Sequence, residues 1–405
     1  MLPLILLIFL TSPSPARSFD CTFASTYPLT YSIPYTSFPP SLTGDPSLPP
    51  WPSVPPSSPF VDITGNETLE PRLGTNFKMA YDEDYLYVLG VLEETEVWAN
   101  ITEDNQVIFQ DNDFEVFIDP SGTNTYYKEI EVNALSSLWN LCLNVPYSDG
   151  GYENSSRVMS PSFDMLQDNK TDKHWPTLKA SSKTYPSTCI NDPTTVPNKG
   201  WGVELALPIS GIVYNTTSSP SPKPGDFWRI NFSRVEWRVL TSPPDSNGGG
   251  EYYYKDPSYP NEDNWVWSPM GVVDMHEPDK WGIVQFAHPQ SEATGGTEGG
   301  GEGKVTKVTP VSRYGSWGCR EVLMNVYYAQ KSFYASSAKY TSDLRILDSL
   351  APVEGACLKC GKVEIEVYDE GWRARTEVGG WRGTVNQVRK LVVEEVGDEE
   401  GELDE

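Results

Sequence analysis

Polar residues stand at alternating positions in two nearby stretches, Glu115 within Asp113–Asp119 and then Glu129, Glu131 and Asn133 within Tyr126–Asn133. Alternation by two puts side chains on one face of a strand, so each stretch predicts a polar strand face. Carboxylates and an amide in a row can hydrogen-bond the hydroxyls of a neutral, polyhydroxylated ligand. Glu115 and Glu131 could also form an acid/base pair, which glycoside hydrolysis needs at a defined separation. A third reading is the solvated face of an acidic protein. The rings Trp98, Phe109, Trp139, Trp265 and Trp267 are candidates for stacking on the apolar face of a sugar, against the alternative that Trp is usually largely buried.

Other chemistry lacks parts. Asp111, Asp113 and Asp119 offer oxygens for calcium, which takes six to eight, but an EF-hand loop spacing is missing and turn chemistry explains them equally well. Cys357 and Cys360 form a C-x-x-C without a second pair, which fits a disulfide better than zinc, either to each other or to Cys319 and a partner. Cys142 and Cys189 are candidates for a bridge within the β domain. The three histidines, His174, His276 and His288, accompany no Gly-x-Ser-x-Gly elbow, and His276 reads as structural.

The elements that must position these groups are strands. Tyr85–Leu92 is a nearly continuous apolar run, and Phe114, Val116 and Ile118 alternate with Glu115 and Phe117. Trp201, Val203, Leu205 and Leu207 alternate with Gly202, Glu204 and Ala206, and Phe227–Phe232 and Trp281–Phe286 complete the set. Trp201, Trp228 and Trp281 keep strand phase with aliphatic residues and read as core. Short strands split by Gly, Pro and Asn predict a mainly β fold, a β-sandwich of jelly-roll or immunoglobulin-like type. Beyond it Val322, Val326, Ala329 and Phe333 share a helical face, and Val363–Tyr368 and Trp372–Val378 read as strands, a small α+β extension.

The expected organisation is a signal peptide at 1–18, an extended Pro/Ser-rich lead-in at 19–60, the sandwich at 61–288, a Gly-rich linker at 289–310, the extension at 311–393 and an acidic disordered tail at 394–405. The apolar run Leu2–Leu10 is too short to span a bilayer, which takes ~20 residues, and no other segment is apolar enough, so no membrane insertion is expected. Acceptor sequons at Asn66, Asn100, Asn154, Asn169 and Asn215 agree with export; a sixth, Asn231, falls in a strand. With 56 acidic against 30 basic residues the net charge is −26, which repels nucleic acid and leaves neutral polymers and cations as partners.

Over about 61–288 the chain resembles the family 9 carbohydrate-binding modules, and more closely their secreted family 9-like set. The matching stretches, in order, are Tyr85–Val88, Asp113–Pro120, Tyr126–Asn133, Trp201–Pro208, Pro224–Phe232 and Trp267–Gly282. The resemblance implies a β-sandwich that holds sugar between two aromatic rings, with polar side chains reading hydroxyls and sometimes with structural calcium; no cofactor is required. It places Phe109 at the first clamp ring, Glu115 on the hydroxyl-binding Glu and Asn133 on an Asn of the next strand. Glu131 stands where sugar-binding relatives carry Arg, a charge reversal. Met275 takes the aligned place of the second clamp ring, and Trp267 is the nearest aromatic candidate. The implied role is a secreted, non-catalytic protein that binds a polysaccharide or oligosaccharide. The alternatives are a component of a glycoside hydrolase system and a structural or adhesion glycoprotein of the extracellular matrix.

Overall fold

A computed structural model describes residues 19–151, 179–185, 190–194, 200–214, 216–219, 221–243, 250–287 and 310–397. In chain order the strands begin with β1 (Thr30–Ile33), β2 (Val61–Asp62), β3 (Thr75–Tyr81) and β4 (Tyr85–Leu92). Next come β5 (Asp113–Asp119), β6 (Tyr127–Asn133), β7 (Leu138–Leu143), β8 (Lys179–Tyr185) and β9 (Gly200–Pro208). A single helical turn, α1 (Ile209–Ile212), precedes β10 (Phe227–Glu236), β11 (Val239–Ser242), β12 (Tyr252–Lys255), β13 (Asp263–Val266) and β14 (Gly282–Phe286). The C-terminal part holds α2 (Trp317–Ser337), α3 (Leu344–Leu350), α4 (Ala356–Lys359) and then β15 (Glu364–Tyr368), β16 (Gly371–Val378), β17 (Trp381–Asn386) and β18 (Leu391–Glu395).

The fold is a mainly β sandwich. One sheet runs β1-β14-β10-β5-β6-β7, with β13 joining β10 to β2, and the other runs β3-β4-β9-β8. Between them lies the main core, to which Val88, Phe114, Val116, Ile130, Val132, Trp201, Val203, Leu205, Trp228 and Ile230 contribute their inward phase. Trp201, Trp228 and Trp281 are buried, as the alternation predicts.

The Pro/Ser-rich segment is not a spacer. β1 pairs in parallel with β14, placing Ile33 beside Phe286. Trp51 is fully buried against Ala80, Leu89 and Ala206 on the outer side of the smaller sheet, where its indole N–H donates to Glu204. Pro cannot supply a ladder N–H, but β1 lies at a sheet edge, and the Pro-rich turns beyond it only have to cover a surface.

In the extension, α2 buries Val322, Val326 and Ala329 against the four-stranded sheet β15-β16-β17-β18, while Phe333 is half-buried. Two of those strands, β17 and β18, escape the sequence reading because Gly379-Gly380 and Trp381–Asn386 show little apolar alternation. The extension is bolted to the sandwich by Arg389, which is sealed from solvent. Its guanidinium meets Asp279 at 2.7 Å, Asp149 at 2.9 Å and Glu277 at 3.5 Å, and it lies 4.6 Å from the Tyr327 ring centre. Cys21 and Cys360 form a disulfide with Cα atoms 5.2 Å apart, tying the N-terminal segment to the extension. This corrects the expected pairings. Cys357 is a buried free thiol on α4, pointing into the core of the extension, as is Cys319 on α2. Cys142 is a buried free thiol at the side of Lys128, and Cys189 lies outside the described residues.

Candidate functional site

Pairing of β5 with β6 sets Glu115 directly opposite Glu131, and Glu131 in turn lies opposite Trp139 on β7. Opposed residues point the same way, so Glu115, Glu131 and Trp139 form a row across the outer face of the larger sheet, with Ser233 of β10 at its other end. Two residues along on the same face, Phe117, Glu129 and Leu141 form a second row. The outer face is thus half acidic and half apolar. Phe117, Tyr127, Leu141, Met275 and Trp281 fill the apolar half as a small second core.

Loops close over this face and leave a cleft of about 330 Å³. Glu115, Glu129 and Glu131 make its acidic side; Phe109, Trp139, Tyr147 and His276 supply rings, and Met275 an apolar wall. Phe109, on a single 3-10 turn at Ile108–Gln110, is 36% exposed. Its backbone is held from both sides: the N–H donates to Glu131 Oε2 at 3.0 Å and the carbonyl accepts the Trp237 indole N–H at 2.9 Å. Tyr147 is 37% exposed and packs edge-on against His276, whose Nδ1 is 2.9 Å from the Tyr127 hydroxyl.

The carboxyls are not the solvated face considered from sequence. Glu115 and Glu131 are only 5% and 4% exposed. Burial, then the neighbouring carboxylates, holds Glu115 and Asp113 well above the usual carboxylate range. Glu131 is raised by burial and by Glu129, against the Phe109 N–H, which favours its ionised form. Burial presses His276 down to about 4, opposed by Asp274. Burial and like charge thus oppose ionisation of the cleft carboxyls, which stand beside aromatic and thioether surface. That combination suits hydroxyls on a partly apolar ring.

The structure brings Phe109, Trp139, Glu115, Glu129 and Glu131 together in the cleft, with Met275 at its wall, and places Trp98, Trp265, Trp267 and Asn133 elsewhere. Trp267 is 1% exposed and stands in the main core, 5.1 Å from Phe77 in T-shaped contact, with Gly282 so close that a Cβ there would meet its ring at 2.2 Å. Trp265 keeps the same phase and lies between Arg234 and Arg72. Trp98 is buried with Val235 and Trp237 beneath the β11–β12 hairpin. Asn133 is consumed by the turn after β6: its amide donates to Ile101 O and Asp111 Oδ2, and its oxygen accepts the N–H groups of Leu135 and Ser137. Asp111 and Asp119 are likewise taken up by loop N–H groups, those of Asn100 and Ile101 and those of Ser121 and Asn124. Sequence reasoning missed Tyr147 as a cleft ring, and it set His276 aside as structural although the ring also lines the cleft. Of the sequons, Asn66 and Asn100 are exposed, Asn231 is buried and bonded to Ser268, and Asn154, Asn169 and Asn215 lie outside the described residues.

Residues 49–156 match the sequence model of the family described as Carbohydrate family 9 binding domain-like. The matched residues take in the stretches Tyr85–Val88, Asp113–Pro120 and Tyr126–Asn133. The family 9-like segment spans β2 to β7 and so carries Phe109, Glu115, Glu131, Trp139 and Tyr147, whereas Met275 and His276 reach the cleft from outside it. It also begins at Pro49, inside the Pro/Ser-rich stretch. Among solved structures, the chain is similar to a protein from Bacteroides uniformis ATCC 8492 described as carbohydrate-binding, at 18% identity and a TM-score of 0.42, covering 64% of this chain and 99% of that one. It is also similar to a family 9 carbohydrate-binding module from Caldicellulosiruptor kristjanssonii in complex with cellotriose (13% identity, TM-score 0.36, 67% and 99% covered). The same description with glucose gives 14% identity, a TM-score of 0.34, and 66% and 100% covered. No curated protein matches the chain.

Proposed function

We propose that this is a secreted, non-catalytic carbohydrate-binding protein that holds a saccharide in the cleft over β5, β6 and β7. The observation that carries the reading is the cross-strand row of Glu115, Glu131 and Trp139 meeting the exposed Phe109 and Tyr147 rings inside the family 9-like segment. A pyranose offers apolar C–H faces to rings and hydroxyls to carboxyls, and the cleft is lined by both. Export is supported by the short apolar N-terminal run and the exposed sequons Asn66 and Asn100.

Glu115 and Glu131 also resemble a hydrolytic pair in their proximity. Acid/base work, however, needs two carboxyls whose environments push them apart, one ionised and one protonated. Here Glu115, Glu131 and Asp113 are all pushed the same way by the same burial. Binding therefore accounts for the site better than cleavage.

The test is a glycan array probed with the full chain, because β1 and Trp51 belong to the sandwich and a fragment starting at residue 61 lacks both. Cellotriose and glucose belong in the panel. Saturable binding that weakens in Phe109→Ala is expected. A folded protein that binds nothing on a broad array removes the reading, and reducing-sugar release abolished by Glu115→Gln replaces it with hydrolysis.

A further inference from the structure

Three carboxyls converge at the cleft floor more closely than sugar binding requires. Asp113 and Glu115 are two apart on β5 and Glu131 faces them from β6, so the pleat turns all three to one side. An oxygen of each lies within 4.8 Å of an oxygen of both others. Their bonding is incomplete. Glu131 accepts the Phe109 N–H, and Asp113 Oδ1 accepts the Val235 N–H at 3.2 Å. Asp113 Oδ2 is sealed from solvent and has no hydrogen-bond partner among the described residues. A buried carboxylate oxygen left unbonded is costly, so native proteins pair such groups or give them a metal. Among the described residues the leading charges on this trio are those of other carboxylates, and Glu131 is also hydrogen-bonded to Glu129. Arg234 on the adjacent β10 is taken up by Glu94 and Glu236.

A hard cation completes such a set. Calcium binds oxygens at about 2.3–2.6 Å, so two oxygens on one ion stand at most about 5 Å apart, which the trio satisfies. We propose that Asp113, Glu115 and Glu131 hold a calcium-class cation at the floor of the cleft, leaving coordination positions that a pair of sugar hydroxyls can fill. Glu115 and Glu131 line the cleft while Asp113 stands behind them, so the free positions face the cleft. The sugar half of the proposal rests on the carbohydrate reading; the cation half does not. Asp111 and Asp119, the other aspartates singled out in the sequence, are already bonded to loop N–H groups and take no part.

The test uses the full chain, stripped with EDTA and titrated with Ca²⁺ by calorimetry, with Tb³⁺ luminescence sensitised through Trp139 as a second signal. One saturable calcium site is expected, with a rise in Tm of about 5 °C or more at a hundredfold excess over Kd. Both signals should vanish in Asp113→Asn and in Glu131→Gln. If those variants do not fold, the wild type decides alone: no calcium-dependent Tm rise and no terbium signal overturns the site. Calcium held equally by wild type and a folded Asp113→Asn places the ion elsewhere and also overturns it. Sugar binding indifferent to EDTA overturns only the coordination of hydroxyls. Calcium binding without any glycan binding supports the cation site and removes the carbohydrate reading instead.

Discussion

Replacing Trp267 and Phe109 in turn by Ala separates core from cleft. Trp267 stands in the main core against Phe77 and Phe232, its indole N–H donating to Ser58 at 3.2 Å. A buried Trp removes some 150–250 Å² from water, roughly 4–6 kcal/mol at about 25 cal/mol per Å². Gly282 touches the ring and cannot expand to fill the space, so the cavity persists. Large-to-small changes of this kind cost about 3–5 kcal/mol, a large part of the ~5–15 kcal/mol by which domains are stable. Phe109 is exposed, and what holds its turn in place is backbone bonding that Ala retains, so its loss should cost less than about 1 kcal/mol. Its ring contact with a sugar is worth about 1 kcal/mol, or several-fold in Kd. Urea unfolding and glycan titration on the same samples give both quantities. Trp267→Ala should lower the unfolding midpoint sharply while its folded fraction binds normally, and Phe109→Ala should do the reverse. Normal stability with lost binding in Trp267→Ala would refute the placement of this ring in the core.

Arg389→Met should destabilise the chain by about 3–5 kcal/mol, because it leaves Asp279 buried without its cation and strips Asp149 and Glu277 of one partner, leaving them Lys331 and Lys280; an unchanged unfolding midpoint in urea would contradict the network. His276 is held neutral, its folded pKa of about 4 lying below the ordinary 6.5. Its contribution is complete above pH 6.5 and is lost as pH falls towards 4, so between pH 7 and pH 5 the wild type should lose about 2 kcal/mol that His276→Gln does not, measured as the difference between their urea curves at the two pH values. Peptide mapping without reduction should recover Cys21 linked to Cys360 and leave Cys357 alkylated only after denaturation, and Cys360→Ser should cost about 2–5 kcal/mol in thermal unfolding. A Cys357–Cys360 peptide would refute that pairing.

Much of the scaffold was written in local alternation. Phe114, Val116, Ile130 and Val132 could only face a core once Glu115 and Glu131 took the opposite phase, and period two then ties the two glutamates to one face wherever the strands pair. The helix at Trp317–Ser337 was legible for the same reason, its apolar stripe repeating at the helical period. Alternation says which residues share a face but not what covers that face. Glu115 and Glu131 are buried rather than solvated because Val107 and Phe109, just before β5, and residues 262–264 and 273–276, far along the chain, close over them. Trp265 and Trp267 share a phase, but only pairing of β13 with β10 decided that this phase points into the core. The Thr30–Ile33 strand is completed by a partner some 250 residues away, and Cys21 by one 339 away. The sequence by itself determined the periods, the charge and the order of the strands, all consequences of neighbours along the chain. Tertiary structure alone decided which ring meets ligand and which carboxyls lose water, because burial is set by contacts that no local pattern records.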